Sequence, residues 1–193
     1  MERKKGKDGA VVWLTGLPCS GKTTLARFLE KALFERRVEV EVLDGDEVRQ
    51  YLSKDLGFKK ADRDTNVRRI GYVCRLLSRH GIVAIAAVVS PYQLVRDEIR
   101  SMCDGYFLEI YLKCPLEVLI QRDAKGLYRK AVAGEIQNFT GISDPYEPPL
   151  CPELVVPTDE ATPDESVASI LKRLEELGFL QLESAVDCQN SHK

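Results

Sequence analysis

Val11-Val12-Trp13-Leu14-Thr15-Gly16-Leu17-Pro18-Cys19-Ser20-Gly21-Lys22-Thr23-Thr24 is the stretch that decides the fold. Val11 to Leu14 form an apolar run of strand length. Gly16 to Thr23 fit the pattern GxxxxGK[ST], and Leu25, Phe28, Leu29, Ala32 and Leu33 then recur at helical spacing. Strand, glycine-rich turn and helix in that order make a phosphate loop. The glycines let the backbone curl until its N–H groups face phosphate oxygens, and the helix N-terminus adds its positive dipole. Lys22 then reaches the β- and γ-phosphates, while the Thr23 hydroxyl holds Mg²⁺. The nucleotide-binding set is Gly16, Ser20, Gly21, Lys22, Thr23 and Thr24. Cys19 lies inside this loop, beside Lys22 and a helix N-terminus, and a redox-reactive thiol is one reading of it. A small side chain filling a turn is the favoured reading of it.

Working outward, Val38 to Leu43, Ile82 to Val89, Phe107 to Leu112 and Leu154 to Val156 repeat the strand-length apolar run. Most are continuous rather than alternating, as in parallel strands buried on both faces. Helical patterns separate them: Ile70, Val73, Cys74 and Leu77 before Gly81; Leu116, Leu119 and Ile120 after Pro115; Val167, Ile170, Leu171, Leu174 and Leu177 before Gly178. The fold class is therefore α/β: a doubly wound parallel sheet flanked by helices, with ligands expected at the carboxyl ends of the strands. Residues 123–152 break this rhythm with Gly, Pro, Lys and Arg, and read as a mobile lid. Residues 1–182 are expected to form one domain and 183–193 a frayed polar tail.

The chain has 193 residues, 44% hydrophobic and 30% charged, enough for one sizeable core and too apolar for disorder. Twenty-eight basic against thirty acidic residues argue against a general nucleic-acid or membrane-surface binder. Six widely spaced cysteines without a CxxC pair, and two histidines in all, write neither a zinc ribbon nor a histidine-rich metal site. No apolar signal core opens the chain, and no uncharged stretch is long enough to span a bilayer. The expectation is a reduced, cytoplasmic protein.

The second apolar run ends in Leu43-Asp44-Gly45-Asp46, followed by Val48-Arg49. Asp46 is read as chemistry, orienting Mg²⁺ or accepting the proton of an attacking hydroxyl. Asp44 is read as a turn residue that caps a helix. Arg49, Arg63, Arg68 and Arg69 gather near Asn66, and Arg122, Lys125, Arg129 and Lys130 load the lid. Guanidinium forks suit the oxygens of phosphate or sulfate. Phe58 and Phe139 stand in polar, glycine-containing surroundings, where stacking on a planar base and filling a core are equally good readings.

These residues carry a resemblance. Over residues 9–180 the chain resembles adenylylsulfate kinase (APS kinase). The matching pieces are Gly16 to Thr24, Leu43 to Asp46 with Arg49, Gly57-Phe58, Asp62-Arg63 with Asn66, Arg68 to Gly71, and Ser90-Pro91-Tyr92 with Arg96. Arg122-Asp123, Lys125 to Tyr128, Gly134 to Ile136, Phe139 to Gly141 and Pro145 to Glu147 continue the series. The resemblance implies a P-loop kinase that moves the ATP γ-phosphate, with Mg²⁺, to the 3′-hydroxyl of adenosine 5′-phosphosulfate, as in sulfate assimilation. It implies Lys22, Asp46, Lys125 and Ser90 as catalytic residues, Arg122 on the ATP side, and Thr23 and Asp46 at the metal. Arg49, Arg63 and Asn66 would grip the phosphosulfate, and Phe58 and Phe139 would stack its adenine. Val89, Ser90, Lys125 and Asn138 complete that pocket; Val89 stands where isoleucine is usual. Ser90 aligns with a serine that some members phosphorylate, and is read first as a pocket residue. A homodimer is also implied. The readings left open are a kinase for another small anionic metabolite and a nucleotide-binding regulatory module.

Overall fold

Alternate side chains of the first strand point into two different cores, and the rest of the architecture follows from that. In this computed structural model, which describes residues 9–123 and 125–180, β1 (Val11–Thr15) is buried along its whole length. Val12 and Leu14 enter one apolar layer with Leu25, Leu29 and Leu33 of α1 (Lys22–Glu35) and Ile170 and Leu174 of α7 (Pro163–Glu176). Val11 and Trp13 enter the other, with Val67 and Ile70 of α3 (Lys60–Ser78) and Val95 and Ile99 of α4 (Gln93–Met102). Period-two alternation through a sheet covered on both faces produces this split. Each fully buried leucine or isoleucine contributes about 1.5–3 kcal/mol relative to exposure.

The other strands are β2 (Val40–Asp44), β3 (Val83–Ala87), β4 (Phe107–Lys113) and β5 (Leu154–Pro157), and every pairing is parallel. The sheet order is β2-β3-β1-β4-β5. The chain leaves central β1 toward one edge, returns through β3, and crosses to the other side at β4. That reversal opens a crevice at the carboxyl end of β1, where the phosphate loop begins. A third, smaller apolar cluster lies beyond the sheet: Cys114, Leu119, Tyr128, Ala131 and Phe139, with Leu17 and Cys19 of the loop packed against it.

The five runs expected as strands are all strands. Three helices have no counterpart in the apolar pattern: α2 (Gly45–Tyr51), α4 and α6 (Leu127–Val132). α2 buries no residue, so its sequence carries no stripe. In α4 a buried Arg96 occupies an inward position that a pattern reader expects to be apolar. The helix expected after Pro115 is α5 (Leu116–Arg122). α6 falls within the stretch read as a lid, which is thus partly helical. The expected tail at 183–193, the charged N-terminus and Cys188 lie outside the described residues. The five described cysteines are free. Among the described residues, no helix is long and apolar enough to cross a membrane.

Candidate active site

Gly16 ends β1 with no room for a side chain: a Cβ there would stand 2.7 Å from the Leu112 carbonyl oxygen and 2.8 Å from Ser20 Oγ. Gly21, at φ 90°, makes the left-handed step that starts α1. Between them the loop closes on Lys22, whose ammonium donates to the Gly16 carbonyl (2.9 Å), the Leu17 carbonyl (2.7 Å) and Ser20 Oγ (3.3 Å). Burial lowers the Lys22 pKa to about 8, opposed by the nearby Cys19, Asp44 and Asp46.

At the second residue of α1, Thr23 Oγ1 donates to Asp44 Oδ2 at 2.6 Å, and the other Asp44 oxygen accepts from the Asp46 backbone N–H at 2.9 Å. Asp44 therefore caps α2, as expected, and also reaches the hydroxyl that a metal would share. Sequence reading left it out of the site, although its place at the end of a parallel strand was a usable signal. Asp46 Oδ2 in turn meets Lys125 Nζ at 2.6 Å. This contact raises the Lys125 pKa. Both side chains are largely exposed, so the pair adds little to stability. It does bring the lid residue Lys125 onto Asp46. A hydroxyl and two carboxylates suit Mg²⁺, which takes one or two carboxylates and fills its shell with phosphate oxygens and water.

A cavity of about 1030 Å³ runs from this loop to the second half of the site. It is lined by Ser20 to Thr24, Asp46, Arg49, Phe58, Arg63, Asn66, Val89, Ser90, Arg122, Lys125, Asn138 and Phe139. Every residue expected in the site thus lines one cavity except Gly16, which shapes the loop beneath it. Arg49 and Arg63 flank the exposed Phe58 ring, their guanidinium carbons 4.6 and 5.6 Å from its centroid. Arg49 donates to the Gly57 carbonyl at 3.0 Å, and Arg63 donates to the carbonyls of Phe58 (2.9 Å) and Asn138. Burial lowers the pKa of both arginines. Phe139 is buried with its ring edge-on to Tyr128 at 5.0 Å, so it fills the small third core and lines the cavity at once. Two polar atoms on the wall, Asn66 Oδ1 and Thr140 Oγ1, are buried without a hydrogen-bond partner among the described residues. Orphaned groups of this kind in a cavity are what a polar ligand satisfies.

Ser90 Oγ is buried; it accepts from Trp13 Nε1 (3.0 Å) and donates to Thr15 Oγ1 (2.9 Å). Arg122 donates to the Thr158 carbonyl at 2.6 Å. Thr158, Ala161 and Pro163 also line the cavity, and sequence reading passed over them. They span the connection from the end of β5 to the first residue of α7, so the rule about carboxyl ends of strands would have found its beginning.

A family model described as adenylylsulphate kinase matches residues 8–157. The chain belongs to the adenylylsulphate kinase family. It is 53% identical to an adenylyl-sulfate kinase of Rippkaea orientalis, over 90% of this chain and 96% of that one. It is 58% identical to a probable bifunctional SAT/APS kinase 2 of Sorangium cellulosum, over 90% of this chain but only 30% of that longer protein. Among solved structures, the Mycobacterium tuberculosis APS kinase CysC in complex with AMPPNP and APS superposes with a TM-score of 0.85. The two are 39% identical, over 88% of this chain and 99% of the other. The doubly wound parallel sheet expected from the phosphate loop and strand pattern is the one observed.

Proposed function

We infer that the chain transfers the γ-phosphate of ATP to the 3′-hydroxyl of adenosine 5′-phosphosulfate, giving 3′-phosphoadenosine 5′-phosphosulfate and ADP. The observation that carries this reading is the single cavity, with a phosphate loop in one half and Arg49, Arg63, Asn66 and Phe58 in the other. The loop amides and Lys22 bind the triphosphate. The two guanidinium forks and the orphaned Asn66 oxygen bind the phosphosulfate nucleotide, with Phe58 and Phe139 beside its base and Val89, Ser90 and Asn138 as further wall. Arg122 serves the ATP side. Mg²⁺, held by Thr23 and Asp46 with Asp44 adjacent, would neutralise charge on the phosphate oxygens. As the bond between the 3′-oxygen and phosphorus forms and the bond to the ADP oxygen breaks, Asp46 accepts the hydroxyl proton. Lys125 meets the charge that develops on the transferred group. Transfer of this kind needs positioning and charge neutralisation more than covalent help. Residues 1–182 would act as one kinase domain with its lid near 123–152, working as a cytoplasmic homodimer.

The purified chain, given ATP, a magnesium salt and adenosine 5′-phosphosulfate, is expected to form 3′-phosphorylated product and ADP in equal amounts. It should outpace a panel of other hydroxylated anions by at least about a hundredfold, the discrimination that built polar contacts supply. No product across a range of pH and magnesium would sink the reading. Arg63→Ala should raise the acceptor KM about 10²-fold, the cost of losing charge-assisted bonds, with the ATP KM nearly unchanged. Equal rises in both constants would remove Arg63 from the acceptor half.

A further inference from the structure

Ser90 combines a disfavoured backbone with an unusual number of restraints. Its φ of 40° lies in the left-handed region, where a serine sits only when its surroundings hold it. They do so on every side. The hydroxyl is fixed by Trp13 and Thr15, and the carbonyl accepts from Arg96 Nη1 at 2.6 Å. Thr15 Oγ1 donates to the Val89 carbonyl at 2.8 Å and lies 3.0 Å from the Tyr146 hydroxyl, which is left as the donor of that bond. Burial in this knot raises the Tyr146 pKa.

Arg96 is the hub. It is 1% exposed, and besides Ser90 it donates to Glu109 Oε1 (2.8 Å), Gln93 Oε1 (2.7 Å) and the Glu147 carbonyl (2.7 Å). A second pair of bonds closes the same junction: the Glu147 N–H donates to the Pro91 carbonyl at 2.8 Å, and the Gln93 N–H donates to Glu147 Oε2 at 2.7 Å. Glu109 is kept charged-paired from its other side by Arg100 at 3.0 Å. Neither Arg96 nor Tyr146 lines the cavity. A buried guanidinium with its donors spent on two loop carbonyls is costly to desolvate, and a nearby apolar side chain would fill the space more cheaply. What the charge achieves that an apolar group cannot is a fixed relation between three loops.

We propose that Arg96 is a positioning residue for the acceptor pocket: its buried fork, together with Tyr146, ties the Ser90 wall of the cavity to the Tyr146–Glu147 root of the lid and, through Thr15, to the start of the phosphate loop. On this account Ser90 is a joint of that tie, its hydroxyl occupied, and not a phosphoryl acceptor. The inference rests on the proposed transfer reaction for its kinetic test, and one of its readouts is independent of that reaction.

Arg96→Lys keeps the charge but cannot reach four acceptors with a planar fork. It should raise the acceptor KM about tenfold while the ATP KM stays within about twofold, and ADP release should exceed product formation as water gains entry. Tyr146→Phe removes one hydroxyl and should move the same constants the same way, about threefold. It also decides the matter should the lysine variant fold poorly. The chain has one tryptophan, so the ¹⁵N spectrum holds one indole resonance, and that N–H is bonded to Ser90. Both variants should shift this resonance and speed its solvent exchange, a readout that needs no turnover. Unchanged kinetics in both variants, or equal rises in the two KM values, would overturn the proposal. So would an indole resonance that stays in place.

Discussion

Lys22→Ala should lower kcat by about 10³-fold or more, because it deletes a buried ammonium held by the phosphate loop itself, where the triphosphate would bind. The same change should not harm the fold. The Lys22 pKa falls to about 8 because the ammonium is buried, and that shift measures a charge held against its preference. From the ordinary value of 10.5, the shift corresponds to about 3 kcal/mol working against the native state at neutral pH. The sign is set by proton binding: between pH 8 and 10.5 the unfolded chain binds more protons than the folded one, so stability rises with pH across that window. The alanine variant should therefore melt at or above the wild-type temperature at pH 7. Its advantage should shrink as pH approaches 10.5. A variant that melts well below wild type at pH 7 would show that the three loop bonds of Lys22 outweigh its desolvation. Nucleotide binding follows from the same group. A triphosphate favours the charged form, so ATP binding takes up a proton near pH 8 and its Kd weakens as pH rises beyond that. Calorimetry in two buffers of different ionisation enthalpy reads the proton directly.

Asp46→Asn is the second large effect. Amide for carboxylate keeps the shape, removes the proton acceptor and one metal ligand, and breaks the ion pair with Lys125. A loss of about 10²–10³-fold in kcat is expected, with the ATP KM rising only as far as magnesium affinity falls. Stability should hardly change, since both partners of the pair are exposed. A kcat close to that of the wild type in this variant would contradict the role.

The strands were legible because continuous apolar runs have few other uses, and the phosphate loop because its residues are dictated by backbone geometry. α4 was hidden by the very residue that later proved informative: Arg96 occupies an inward position, so the helical stripe is broken at its centre. α2 was hidden for the opposite reason, having no buried face. Among the site residues, Arg49, Arg63, Asn66, Phe58 and Lys125 come together in one cavity although they run from position 49 to position 125; the arginine group was visible in the residues, but its meeting with Lys125 only through the resemblance. Asp44 shows the limit of reading one role per residue. Its two oxygens do different things, one capping α2 and the other meeting Thr23. No local pattern announces the second contact, because it depends on β1 and β2 ending at the same edge of the sheet with β3 between them.

The third apolar cluster joins Tyr128 and Phe139 of the covering segment to Leu17 and Cys19 of the phosphate loop, and the Tyr128 hydroxyl donates to the Pro18 carbonyl at 3.0 Å. Cover and floor thus share one greasy filling, and neither can change shape without the other feeling it. Whatever factor the donor nucleotide imposes on the grip for its co-substrate, the co-substrate must return in equal measure.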